Sequence, residues 1–330
     1  MGFRAVRIIN IPSDIGSVYS GKSRAPTAFK AAGLQEKLET TGWQVAESTA
    51  LSNGPSEWTP SGRAPNGARN EAATVAACEE VRQAIGKDII GNDESRFADG
   101  FQLILGGECL YCPSIMSAYW HHLEGTGLRI GLVYMDADCD LYTPTEPNSS
   151  GNIAGMTLTH LTFREGALKS MQKFSRADGS AVVDNTNIVL FGLNIDSAAN
   201  KRDHLGYLFD NNFRVFTSRA VEVAAQEQAE AALKWLGDRV DYIILHLDVD
   251  VIDPGVFPLG NVPSWTGLGF EAAMAAAKTF LRSEKTIALS IAEVNPDHDP
   301  GLKMTMQLVD QIVDGMNERM TSGAQNLGVQ

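Results

Sequence analysis

Six short apolar runs recur along the chain, at residues 5–11, 101–105, 130–135, 188–193, 242–247 and 286–291. Each is rich in Val, Ile and Leu and nearly continuous, without the alternation of a half-solvated strand. Strands covered on both faces have this pattern, so the runs predict a parallel sheet. Helical spacing fills the intervals, at 70–85, 219–236, 270–281 and 304–316. The stretch RAVEVAAQEQAEAALKWL is made of strong helix formers, and Ser218 before it offers an N-cap. Strands alternating with helices predict a three-layer α/β/α fold with a mostly parallel central sheet. We expect one domain over residues 1–330.

Loops punctuate this pattern. Residues 51–69 are dense in Ser, Gly, Pro and Asn and predict a surface loop rather than a linker. Residues 143–152 form a second such loop, directly after a group of acids, where open α/β sheets place ligands. The polar tail after Thr321 is expected to fray. The opening MGFRAVRIINIPSDIG predicts a strand rather than a signal peptide, and no apolar stretch reaches the ~18 residues of a membrane span. A net charge of −13 disfavours nucleic-acid partners, and four Cys in 330 residues make no disulfide scaffold. The expectation is a soluble, cytoplasmic, acidic protein with a small-molecule partner.

Two segments carry the candidate chemistry. Asp136, Asp138 and Asp140 follow the third apolar run at spacings of two. In extended chain such residues point to one side and converge. Asp248 and Asp250 end the fifth run in the same way. Five carboxylates at two strand ends repel one another unless a cation joins them, and clustered oxygen donors suit hard divalent ions such as Mn²⁺ or Mg²⁺. Asp253, before Pro254, suits a turn better than a ligand role. Cys139 is expected to point away from the acids that flank it, and Cys78 to lie in the core. Cys109 and Cys112 form a C-x-x-C without two further ligands. His246, inside a strand, is expected to be a satisfied core histidine, with a supporting role to Asp248 as the alternative.

The chain resembles the ureohydrolase family of arginases, agmatinases and formiminoglutamases. The resemblance rests on landmarks spread from end to end. Residues 11–16 (IPSDIG), Gly21 and Ala25-Pro26 resemble the family's opening. Leu105-Gly-Gly-Glu-Cys109 stands where the family has Gly-Gly-Asp-His, and Asp136-Ala-Asp-Cys-Asp140 where it has Asp-Ala-His-x-Asp. Residues 150–155 (SGNIAG) match Ser-Gly-Asn-x-His-Gly. Residues 248–254 (DVDVIDP) match Asp-x-Asp-x-x-Asp-Pro, and Glu293-Val-Asn-Pro296 the late Glu-x-Asn-Pro.

The resemblance implies a site for two Mn²⁺ ions and a shared water whose hydroxide attacks a guanidinium carbon. It implies that Asp136 and Asp248 bridge the ions, that Asp140 serves one ion, and that Asp138 and Asp250 serve the other. Glu293 and Asp140 become the catalytic carboxylates, with Glu293 gripping the guanidino or amidino group. Ser150 and Asn152 touch the far end of the substrate. A homo-oligomer, trimer or hexamer, is also implied.

Three departures qualify this picture. The family's two metal-bound histidines are replaced by Cys109 and Asp138, and its proton-shuttle histidine by Ala154. With Cys109 as a thiolate, two negative charges stay uncompensated by two divalent ions. Cys109 then stays a neutral thiol, Asp138 turns away, or the metal content changes to one ion or a softer one taking the sulfur. Ala154 offers no proton to a departing amine. Three functions follow: a metal-dependent hydrolase of a guanidino or amidino C–N bond, a repurposed metalloprotein of specialised metabolism, or a catalytically silent binding protein.

Overall fold

The computed structural model describes residues 5–51, 53–90 and 100–321. The tail after Thr321 lies outside the described residues. Eight strands form one sheet: β1 (Ala5–Asn10), β2 (Gln44–Thr49), β3 (Gly100–Leu105), β4 (Ile130–Met135), β5 (Ile188–Leu193), β6 (Arg214–Thr217), β7 (Tyr242–Asp248) and β8 (Thr286–Ala292). Their order is β2-β1-β3-β8-β7-β4-β5-β6, and every pairing is parallel.

The six apolar runs are the six inner strands. The two strands that the pattern missed, β2 and β6, are the edges of the sheet. β2 is mostly exposed and β6 is only partly covered, so neither carries the continuous apolar run of a strand packed on both faces.

Side chains alternate between two cores. Leu103, Val133, Leu245 and Leu289 face a layer that includes Phe29, Leu236, Phe280 and Ile312. Ile104, Leu132, Tyr134 and Ile244 face a layer that includes Val81, Met116, Leu158 and Leu208. The result is the expected three-layer α/β/α architecture. The segment expected to be one helix over 219–236 is two, Ser218–Val223 and Ala225–Gly237, broken at Ala224. Thr217, not Ser218, is the cap. Thr217 keeps the extended backbone that a capping residue needs and its hydroxyl accepts from the Ala220 N–H, whereas Ser218 is already helical. Among the described residues, no helix is long and apolar enough to cross a membrane.

The strand order positions the site. The chain builds β1–β3 on one side and β4–β6 on the other, then inserts β7 and β8 between β3 and β4. The carboxyl ends of β3, β8, β7 and β4 therefore lie side by side, with a crevice above them.

Candidate metal centre

Asp136 follows β4 directly, and its N–H donates to the Phe191 carbonyl at 3.1 Å. Asp248 is the last residue of β7, beside β4. The chain then turns so that each aspartate caps its own loop. Asp136 Oδ1 accepts from the Asp138 N–H at 2.7 Å, and Asp248 Oδ1 from the Asp250 N–H at 3.0 Å. Asp140 (φ 45°) and Glu293 (φ 63°) hold left-handed backbone that non-glycine residues rarely adopt. Such strain persists where the surroundings fix it, commonly at functional sites.

These turns aim the acids at one cavity of about 220 Å³. Cys109, Asp136, Asp138, Asp140, Asp248, Asp250 and Glu293 all line it, and Ser150, Asn152 and Ala154 form its outer part. Every residue expected at the site is therefore brought to one place. Asp253 lies apart, its carboxylate accepting from the Gly255 and Thr266 N–H groups as a turn former. Cys139 packs in the core instead, and Cys112 and Cys78 are buried free thiols there.

The acids are crowded and dry. Burial first, then repulsion from Asp248 and Asp140, drives the Asp136 carboxyl well above its usual range. Asp248 and Asp250 rise far above theirs for the same first reason. Burial lifts Asp138 to about 6 and, with Asp138 adding to it, Asp140 to about 7. One oxygen of Asp138 and one of Asp250 are buried without a hydrogen-bond partner. Unpaired buried oxygens among mutually repelling acids are donors without an acceptor of charge, which a divalent cation satisfies. The residues present fit such an ion.

Cys109 sits among these groups. Its thiol is 3.5 Å from Asp140 Oδ2 and 3.4 Å from the Ala154 carbonyl, and Thr157 Oγ1 donates to it at 3.3 Å. Burial, then Asp140, pushes the thiol well above its ordinary value, so the metal-free site holds it protonated. Its sulfur and oxygens of Asp248 and Glu293 lie within 4.8 Å of one another.

Two features depart from the preferred sequence reading. Lys22 is fully buried and sits 3.6 Å from Glu293 Oε2, while its ammonium donates to Ser17 Oγ at 2.5 Å and to the Tyr19 carbonyl at 2.8 Å. The carboxylate expected to grip a cationic substrate thus already has a cation. The surplus negative charge of the ligand set was the available signal, since it demanded a counter-ion. The second feature is His246, which is not a satisfied core histidine. It is 1% exposed, its Nδ1 is 3.4 Å from Ser290 Oγ, and its Nε2 has no partner.

The outer loop is held from behind. Glu146, its single acid, is occupied by Lys201 at 2.9 Å and His204 at 2.8 Å. Within the stretch 51–69, expected to be a surface loop, residues 63–69 buttress it. Arg63 donates to the Ser149 carbonyl, Arg69 Nε to the Ser150 carbonyl at 3.0 Å, and the Arg69 N–H to the Gly151 carbonyl at 2.8 Å. Gly67 and Gly151 both have positive φ, and a Cβ on Gly151 would lie 2.5 Å from the Gly67 carbonyl oxygen. Only glycine permits this approach.

Comparison with known proteins identifies the fold and the family. The arginase of Staphylococcus aureus (strain MRSA252) is 28% identical over 300 residues, spanning 90% of this chain and 92% of that protein. The native structure of the Bacillus caldovelox arginase superposes with a TM-score of 0.79 at 22% identity, covering 96% of this chain and 98% of that one. The Entamoeba histolytica arginase in complex with L-ornithine gives 0.77 at 23% identity, covering 97% and 99%. The arginase family profile matches residues 4–316. This chain belongs to the arginase family.

Proposed function

We propose that this protein is a metal-dependent hydrolase that cleaves a C–N bond of an amidino or guanidino compound. The observation that carries the reading is the convergence of buried carboxylates from β4 and β7 on one cavity, with oxygens of Asp138 and Asp250 left without a proton donor. Asp136, Asp138, Asp140, Asp248 and Asp250 are the proposed ligands, with Cys109 at the edge of the set. A divalent ion such as Mn²⁺ held there would acidify a water and polarise the carbon under attack.

The protein's own groups do the rest. Glu293 accepts N–H groups of the substrate, while Lys22 beside it carries the balancing charge. This pairing favours a reacting group with little formal positive charge over a free guanidinium. Asp140 Oδ2, which accepts from the Tyr134 hydroxyl at 2.6 Å, is held where it would meet a proton of the attacking water. Ser150 and Asn152 meet the far end of the substrate. Ala154 leaves proton delivery to the departing amine to Asp140 or to water.

The test is a screen of Mn²⁺-loaded protein against guanidino and amidino compounds, scored by release of urea or ammonia. Turnover of any member supports the reading. Stoichiometric metal without release across a broad panel would overturn it in favour of a second one, ligand binding without hydrolysis. Ala154 and the neutralised Glu293 are the observations that favour that alternative.

A further inference from the structure

The proposed ion needs donors, and the sequence has lost two histidines that the family's pattern would place on it. One histidine rises from beneath the site instead. His246 lies two residues before Asp248 on β7, so both side chains leave the same face of the strand. Across the sheet its register partners are Tyr134 on β4 and Ser290 on β8. These three residues form a polar layer one step below the carboxylates. The Tyr134 ring stacks on the imidazole with centroids 5.0 Å apart and planes 17° from parallel, which fixes the ring's plane. Nδ1 faces Ser290 Oγ, and Nε2 is buried without a partner. A nitrogen of this ring and oxygens of Asp136 and Asp248 lie within 4.8 Å of one another.

A buried imidazole nitrogen without a hydrogen bond is costly unless it has an acceptor or an ion. The other buried histidine with unpartnered nitrogens, His160, is not grouped with these acids.

We infer that His246 is a metal ligand, donating a ring nitrogen from within the sheet to an ion held between Asp136 and Asp248. An Nδ1–H donated to Ser290 leaves the Nε2 lone pair for the ion. The donor is neutral, and therefore adds coordination without adding to the surplus negative charge of the set. It also biases the site toward Mn²⁺, Fe²⁺ or Zn²⁺ over Mg²⁺ or Ca²⁺, which prefer oxygen alone.

This inference rests on the metal reading of the carboxylate cavity, and the experiment separates the two. Full-length protein is stripped with chelator and titrated with Mn²⁺ alone, and its metal content and Mn²⁺ electron spin echo modulation are measured. The expected result is bound Mn²⁺ with ¹⁴N modulation from a directly coordinated imidazole. In His246→Ser that modulation disappears and affinity for Mn²⁺ falls by at least the roughly 10–100-fold that loss of a ligand's outer partner costs, while His160→Asn leaves both unchanged. Protein that binds no Mn²⁺, Fe²⁺ or Zn²⁺ defeats the metal reading, and this inference with it. Wild-type protein that binds Mn²⁺ without nitrogen modulation, or whose modulation survives His246→Ser, overturns the role of His246 alone. Should His246→Ser fail to fold, the wild-type spectrum still decides, because absence of coordinated nitrogen excludes the ligand.

Discussion

Lys22 does not line the cavity, yet its contact with Glu293 changes the charge of the site. A buried ion pair that loses one partner leaves a charge without compensation, so Lys22→Met should lower stability by roughly 3–5 kcal/mol. It should also free Glu293. A guanidinium ligand such as agmatine is then expected to bind Lys22→Met about tenfold more tightly than wild type, because a charge-assisted pair has become available. Titration calorimetry on the folded variant measures this. Equal or weaker binding would mean that Glu293 does not meet the ligand. The residue was not legible from sequence. A lone Lys between Gly21 and Ser23 looks like a solvated loop residue, and only its contact with Glu293, from the far end of the chain, makes it otherwise. His246 was legible in part: its position two residues before Asp248 suggested a supporting role, but the unpartnered Nε2 depends on what β4 and β8 put beside it.

At the level of elements, the strands and the acid spacing were the readable part. Continuous apolar runs located every strand with a neighbour on each side, and spacings of two located the five aspartates. Edge strands and the role of loop 51–69 were not readable, because their stability comes from partners distant in sequence. The docking of that loop on residues 143–152 makes a definite prediction. Gly151→Ala would put a Cβ against the Gly67 carbonyl at a position with φ of +80°. A cost of about 1–3 kcal/mol is expected from the backbone alone. Chemical denaturation would detect it, and limited proteolysis should cut faster within 143–152. An unchanged midpoint and cutting rate would show that the two loops are not coupled.

For the molecule as a whole, the buried acids tie stability to pH and to metal. Glu108, buried beside the site, is raised to about 8, above Asp140 at about 7 and Asp138 at about 6. Burial is the leading cause for all three. Their folded values exceed their unfolded values near 4, so the folded state binds more protons across that interval. In chelator-treated protein, ionisation therefore costs nothing below about 4, and the loss of stability grows until pH passes about 8. The melting temperature of the metal-free protein should fall as pH rises from 5 through 8. Added Mn²⁺ should flatten or reverse the slope, because cation binding favours the ionised acids. A metal-free melting temperature that climbs over this range would contradict the assigned environment of these groups.

The order of strands has a consequence for biosynthesis. Before residues 242–292 leave the ribosome, the native sheet pairings available to the chain are those within two three-stranded halves, β2-β1-β3 and β4-β5-β6. Each ends in an inner strand, β3 or β4, with one bare edge. Those edges can pair with each other or with a neighbouring nascent chain, and chaperone capture should be strongest in this window. The arrival of β7 and β8 closes the gap and delivers Asp248 to Asp136 in the same event, so a truncated translation product loses both its centre and the strands that join its two halves.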